Sequence, residues 1–364
     1  MRVGFDARWY NDSGVGSYVA GLVPALIRGG CELVVYIDAK NPMPGLEAFA
    51  TEIVPIRAGR YSLFASLEFQ RRAKQDKLDL FHSPFYAAPR LACPVIVTVH
   101  DLIPFLFPIY PWLKQGLVQA GYRSAARRVA HIITDSQHTA NDIQKILGVA
   151  PERITPVHLA ASEIFHPCTA EGELQRLREK FGLSQPYVVV ASARNWHTKN
   201  LEGALKALAM AGSESGVEFQ TVAYGQPKGI EAVSDRELLQ NVCRASYVEV
   251  EELAALFRHA HAFVMPSLYE GFGLPLVEAM ACGCPVITSD RGSLPEVAGD
   301  GAQCFGPADI TGMAAALSEL LCGPQELAKR KADALKRAAD FSWEKTAQAT
   351  MTVYHQMQRQ IPTP

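Results

Sequence analysis

Hydrophobic positions along this chain come in short unbroken runs separated by stretches with helical period. Residues 2–6 form one run, and others follow at 31–38, 78–83, 94–99, 130–134 and 153–159. Runs of that length predict strands buried on both faces, and strands alternating with helices predict a parallel sheet covered on both sides. Residues 11–17 read as a glycine loop and 18–27 as a helix closed by Gly29-Gly30. Residues 168–185 are polar and break the strand pattern, so the domain junction is placed there. A second series opens with a buried strand at 187–193 and a helix from about Leu201. It continues with a strand ended by Gly225, a short strand at 246–250, a helix at 251–259 and a strand at 262–265. Residues 309–322 and 324–339 read as helices, and Ser342 caps a last amphipathic helix. The expected division is a first α/β domain over 1–168, a second over 169–340 and a terminal helix over 341–364.

The densest chemistry lies at 266–287, read as a glycine turn, a short helix and a further apolar strand. The turn carries Glu270 and the helix carries Glu278. Gly271 and Gly273 bare the backbone between them, where the N–H groups of a helix start make an anion site. Amide donors for phosphate beside carboxylates for hydroxyls suit a nucleotide sugar. A βα turn with packing glycines and a solvated glutamate gives the same lone Gly-x-Gly. Upstream, Arg194 and Lys199 stand at a strand end and a helix start. Cations there oppose the local dipole unless something anionic binds between them, and a fork plus a point charge is what a diphosphate needs.

In the first half, His82 and His100-Asp101 follow apolar runs, and ligands of parallel sheets bind beyond the carboxyl ends of strands. His100 is the stronger site candidate, as donor and acceptor near neutral pH. Gly14 and Gly16 let a ligand approach the loop, although an ordinary tight turn has the same spacing. Val19 stands where the third glycine of a dinucleotide fingerprint belongs, so no Rossmann cofactor site is assigned. Asp135-Ser136 ends another run; Ser136 suits a helix cap, and a site role stays open for either residue. Arg71, Arg72, Lys74 and Lys77 give a charged helix face, and the aromatic, proline-rich residues 105–113 suit either stacking or packing.

The stretch Ser267-Leu268-Tyr269-Glu270-Gly271-Phe272-Gly273-Leu274-Pro275, with Glu278 beyond it and Gly292-Ser293-Leu294-Pro295-Glu296-Val297 later, resembles the hallmark of family-4 retaining glycosyltransferases. The resemblance implies the GT-B architecture: two Rossmann-like domains facing across a cleft, with the C-terminal helix returning to the first. It implies that Arg194 and Lys199 hold the donor diphosphate and that Glu270 binds hydroxyls of the transferred sugar, helped by backbone groups of Gly271, Phe272, Gly273 and Leu274. Glu278 would bind the ribose, and the strand end near Val248 would meet the base. Gly14, Val15 and Gly16 would face the diphosphate and the acceptor, and His100 would touch the transferred sugar. Tyr18, His82 and Asp101 are acceptor-side candidates. The start Asp6-Ala7-Arg8, the Ser13-Gly14-Val15-Gly16 loop and Val99-His100-Asp101-Leu102-Ile103-Pro104 are similar to bacterial mannosyltransferases of polysaccharide assembly. GDP-mannose is therefore the expected donor, with a UDP-hexose (glucose, galactose or GlcNAc) second, and a glycan or lipid-linked glycan the expected acceptor.

Length and charge change this picture little. The 364 residues fit two domains, and no apolar run approaches the ~18 residues of a membrane span. The strand opening at Arg2 leaves no space for a signal peptide, and eight cysteines without metal spacing read as reduced thiols. A cytoplasmic protein is expected. Residues 1–166 carry 17 Lys and Arg against 14 Asp and Glu, while the remainder carries 18 against 23. The basic first half leaves room for peripheral contact with a membrane leaflet. No nucleic acid partner is implied. No metal is implied either: there is no Asp-x-Asp, and cations do the electrostatic work of a metal. A glycoside hydrolase would use two carboxylates as acid and base but has no need of a phosphate clamp. A nucleotide-sugar epimerase or phosphorylase, or a silent binding protein, are the other readings. Loss of one of Arg194, Lys199, Glu270 or Glu278 would favour the last.

Overall fold

The computed structural model describes the chain apart from residues 11, 42, 44, 47–51, 61, 185, 193–195, 247 and 360–364 and the side chains of 13, 63, 196 and 197. It divides into two compact units, 1–159 with 342–364, and 160–341.

The first unit is built on a parallel seven-stranded sheet: β1 (Arg2–Asp6), β2 (Glu32–Asp38), β3 (Glu52–Ile56), β4 (Leu80–Ser83), β5 (Val95–Val99), β6 (His131–Thr134) and β7 (Ile154–Pro156). Their order is β3-β2-β1-β4-β5-β6-β7, so the direction of winding reverses between β1 and β4. β1, β4, β5 and β6 are buried on both faces, as continuous apolar runs require. One face carries the helices Leu63–Gln75, Trp112–Arg128 and Gln137–Leu147, whose Phe69, Tyr122 and Ile143 share a core with Val97 and Ile132. The helix Ser13–Arg28 and the C-terminal helix Trp343–Arg359 pack against one another in the same unit.

The sequence reading missed β3. Pro55 and the exposed Glu52 spoil its apolar pattern, and an edge strand tolerates both because its outer side makes no ladder bonds. The last strand of this sheet spans Ile154–Pro156 rather than 153–159, and its pairing closes with Val157 N–H donating to Thr134 O at 2.7 Å.

The second unit holds a parallel six-stranded sheet: β8 (Tyr187–Ser192), β9 (Gln220–Gly225), β10 (Val242–Ala245), β11 (Ala262–Met265), β12 (Val286–Ser289) and β13 (Gln303–Phe305). Its order is β10-β9-β8-β11-β12-β13, with the reversal between β8 and β11. Two placements differ from the sequence reading. The short strand is Val242–Ala245, and residues 246–249 lead instead into a capping box. There Glu249 and Glu252 close the first turn of helix Val250–His259. The polar segment taken as the junction contains the helix Glu173–Phe181 of the second unit, and the units part nearer Leu159. That helix looks polar because it buries little beyond Leu177 and Glu173. Glu173 is tied to Arg258 Nε at 2.9 Å. Among the described residues, no helix is long and apolar enough to cross a membrane.

Candidate active site

In open parallel sheets the winding reversal leaves a crevice beyond the carboxyl ends of the two strands involved. In the second unit these strands are β8 and β11. The segment after β8 carries Arg194 and Lys199, and the segment after β11 carries Glu270. Seventy-one residues apart in sequence, Lys199 Nζ and Glu270 Oε1 meet at 2.5 Å. Their side chains are only 13% and 11% exposed. Leu268 N–H donates to Thr198 O at 2.6 Å, fastening one loop to the other. Arg194 lies outside the described residues.

Glu270 is held by its backbone. Ser293 donates to the Glu270 carbonyl from its amide at 3.2 Å and from its hydroxyl at 3.1 Å. Gly292 has φ +62°, and a Cβ there would lie 2.8 Å from Glu270 O and 2.9 Å from its N. Only glycine permits both the backbone angle and the approach. The Gly292-Ser293 segment was noticed in sequence only as part of a resemblance; its work is to clamp the turn carrying Glu270.

Gly273, with φ +89°, caps the helix Leu274–Ala281. Gly271 and Phe272 are buried beside it, with the Phe272 ring edge-on to Phe341 at 5.9 Å. Glu278 lies one helical turn further and is partly buried. Burial pushes its carboxyl up to about 7, because a charged carboxylate loses hydration there. Among the described residues no group donates to its carboxyl oxygens. Burial, and then the charges of Glu278 and Glu270, raise the Tyr224 hydroxyl at the end of β9, so both carboxylates converge on one region. Val248 is partly buried in the loop before helix Val250–His259.

The first unit treats its candidates differently. Helix Ser13–Arg28 starts five residues earlier than the sequence reading placed it, so Gly14, Val15 and Gly16 form its first turn instead of a loop. Gly14 is exposed with nothing within 4 Å of a would-be Cβ, while at Gly16 that Cβ would lie 2.2 Å from Tyr10 O. Gly14 thus leaves the helix start open to a ligand, and Gly16 lets the preceding backbone close against it.

His82 sits inside β4 and is fully buried. Its Nδ1 meets Tyr354 Oη at 2.6 Å and its Nε2 meets Thr98 Oγ1 at 2.8 Å. Thr98 Oγ1 in turn meets Tyr18 Oη at 2.8 Å. Burial lowers the His82 imidazole to about 3, so it stays neutral. His82 and Tyr18 were assigned to the acceptor on sequence; the structure places them in the core, where they join the sheet to the C-terminal helix. Asp101 does reach the surface, and its Oδ1 accepts from Ile103 N–H at 2.9 Å.

His100 lies beyond β5 with its ring 16% exposed. Nδ1 donates to Asp135 Oδ2 at 2.7 Å, and Nε2 to Pro84 O at 3.0 Å. Two acceptors require two N–H groups, so this geometry selects the imidazolium. Burial alone would lower its pKa, but the charge and hydrogen bond of Asp135, then Asp101 and the Pro84 carbonyl, raise it on balance. Tyr18 packs edge-on at 5.0 Å. Asp135, left open on sequence, is the partner that fixes this ring, while Ser136 caps the helix Gln137–Leu147 through Thr139 N–H at 3.1 Å.

Comparison with known proteins agrees with this architecture. Residues 13–160 match the sequence profile described as Glycosyltransferase Family 4, and residues 174–338 match Glycosyl transferases group 1. Among curated relatives, MMP alpha-(1->4)-mannosyltransferase of Mycolicibacterium hassiacum is 33% identical over 73% of this chain and 66% of its own length. O-antigen chain mannosyltransferase B of Escherichia coli is 29% identical over 76% of this chain and 74% of its own. The chain thus spans about two thirds of the first relative. Among solved structures, sucrose-phosphate synthase from Thermosynechococcus elongatus superposes with a TM-score of 0.78 at 19% identity, covering 98% of this chain and 99% of that one. Two parallel-sheet units with these matches along nearly the whole sequence give the conclusion: the chain belongs to the family-4, group-1 glycosyltransferases of the GT-B fold.

Proposed function

We propose that this glycosyltransferase moves mannose from GDP-mannose to a hydroxyl of a glycan or lipid-linked glycan, with retention of anomeric configuration. The carrying observation is the Lys199–Glu270 pair at the winding reversal of the second sheet, beside the start of helix Leu274–Ala281. A buried ion pair is held at a desolvation cost, and a ligand that is anionic at one end and hydroxylated at the other can engage both partners. Lys199 and Arg194 stabilise charge building on the diphosphate, with the helix start adding its dipole. Glu270 accepts from hydroxyls of the transferred sugar, and Glu278 from the ribose.

The bond from anomeric carbon to phosphate oxygen breaks, and the acceptor oxygen bonds to that carbon on the same face. The acceptor proton passes to the departing phosphate, so the leaving group serves as base. Gly14 and Val15 leave the N-terminal turn of helix Ser13–Arg28 accessible to an anion. Asp135 favours the charged form of His100, whose nitrogens reach a sugar only by releasing Asp135 or Pro84.

That both curated relatives are mannosyltransferases favours mannose. A thermal-shift panel of GDP, UDP and ADP with their sugars tests the donor, since a ligand bound to the native state raises its melting point. GDP and GDP-mannose are expected to raise Tm; a shift with UDP compounds alone would overturn the assignment in favour of a UDP-hexose.

A further inference from the structure

Two described residues other than glycine hold a left-handed backbone, Lys77 at φ +51° and Asn200 at φ +50°. Lys77 lies in an exposed turn. Asn200 follows Lys199 directly, between the short helix Trp196–Lys199 and the helix Leu201–Ser215. A left-handed backbone crowds the Cβ of most residues against the following carbonyl, and asparagine tolerates it best after glycine. Such angles persist where the surroundings hold them, and they gather at functional sites.

The helix start by itself does not call for this geometry. A Ser, Asp or Asn with extended backbone would cap it by accepting an amide hydrogen. Asn200 makes no such bond with its side chain, although its carbonyl accepts from Ala204 N–H at 3.1 Å. The side chain turns elsewhere, and Nδ2 donates to Pro307 O at 2.8 Å. Pro307 belongs to the loop between β13 and the helix Ile310–Cys322, which packs on Leu201–Ser215. Gly203 makes room for the amide, since a Cβ there would lie 2.6 Å from both Asn200 Nδ2 and Oδ1. An unfavourable angle, an unmade cap and a glycine inside a helix all accompany this one long-range bond.

What the arrangement fixes is the direction of Lys199. A right-handed residue at 200 would let the two helices run on as one, and the lysine would leave the backbone along another line. On the other side, Thr198 O accepts from Leu268 N–H at 2.6 Å, in the segment that leads to Glu270. Lys199 thus stands between two tethers, one to the loop after β11 and one to the loop after β13. Its Nζ reaches Glu270 Oε1 at 2.5 Å. A lysine stem is long and flexible, so holding its ammonium in one place depends on how its backbone is fixed.

We infer that Asn200 is a positioning residue for Lys199: its left-handed backbone and its bond to Pro307 aim the ammonium at Glu270. That the aimed ammonium serves a diphosphate rests on the transferase reading.

Titration with GDP and with guanosine tests it on the full chain, with UDP and uridine in their place if the thermal panel selects uracil. Asn200→Ala, which loses both angle and anchor, should weaken the diphosphate roughly tenfold and the nucleoside less than about twofold. Asn200→Gly keeps the angle and loses the anchor, and should weaken the diphosphate roughly threefold. Added to Lys199→Ala, Asn200→Ala should change diphosphate affinity by less than about twofold, because the group it aims is gone. A merely structural role would weaken both ligands alike and act as strongly without Lys199. Acetylation with acetic anhydride, mapped by mass spectrometry, reads the lysine without any ligand. Lys199 should react roughly fivefold faster in Asn200→Ala, as its pairing with Glu270 loosens. The inference fails if nucleoside and diphosphate weaken together, if the loss persists on the Lys199→Ala background, or if Lys199 acetylation is unchanged in Asn200→Ala. If Lys199→Ala binds the diphosphate as wild type does while Asn200→Ala still speeds acetylation of Lys199, the positioning stands and the diphosphate reading falls.

Discussion

The two sheets end in chemically opposite ways. Beyond β8 and β11 the second unit keeps a carboxyl with no donor among the described residues, with an ion pair one-tenth exposed in the same region. Beyond and within β4 and β5 the first unit gathers groups that satisfy one another. Tyr354, His82, Thr98 and Tyr18 form a closed chain of hydrogen bonds, and His100 has both nitrogens engaged. Unspent polar capacity marks a place where something binds; spent capacity marks a place where something is held still. The same residue types serve both ends, and what separates them is whether the partner lies within the chain.

The contrast can be broken at its strongest point first. Glu270→Gln should cut turnover on the order of 10²–10³-fold, the scale of losing one aligned charged group, while GDP affinity changes less than tenfold. Steady-state rates beside a nucleotide titration measure both, and wild-type turnover would remove Glu270 from the site. Glu278→Gln should alter the pH dependence of stability. The native carboxyl titrates at about 7 against an ordinary value of 4.5, so the wild type favours the protonated form when folded. Its stability is fully present below about 4.5 and falls as pH rises toward about 7, by up to about 3 kcal/mol. Urea unfolding across that range should show the glutamine variant losing less; parallel curves would mean that Glu278 titrates normally.

Smaller effects sharpen the closed side. Tyr354→Phe removes one partner of buried His82 and should destabilise the chain by about 1–3 kcal/mol without changing nucleotide affinity. A shift in nucleotide affinity as large as the stability loss would contradict the holding role. Asp135→Asn takes away the charge that raises His100. The raised imidazolium contributes stability below pH about 6.5 that is lost as pH rises through its folded pKa. Without Asp135 that loss should begin at lower pH, moving the alkaline limb of the rate profile down. An unmoved limb would take His100 out of the pH dependence.

Much of this was legible in the chain itself. Unbroken apolar runs located Val95–Val99, His131–Thr134 and Ala262–Met265 to within a residue or two, because burial on both faces leaves no polar position to confuse the reading. Ser136 and the end of its helix at Leu147 were placed because cap and αL glycine are local chemistry. Lys199, Glu270 and Glu278 could be singled out as candidates because strand ends and glycine turns are written in neighbouring residues. β3 and the start of helix Ser13–Arg28 were misread for one reason. An edge strand with a proline, and a helix whose first turn holds two glycines, take their stability from neighbours rather than from propensity.

By its own residues, then, the chain determined two parallel α/β units, their strand cores and the carboxylates and cations at their edges, since each depends on period, cap or turn within a few positions. Tertiary structure alone decided which polar groups are spent. That His82 is enclosed while His100 is held toward its charged form depends on Tyr354, 272 residues beyond the first, and on Asp135, 35 residues beyond the second. Burial and hydrogen bonding across such separations set a pKa and an accessibility, and neither is a property of the residue that carries them.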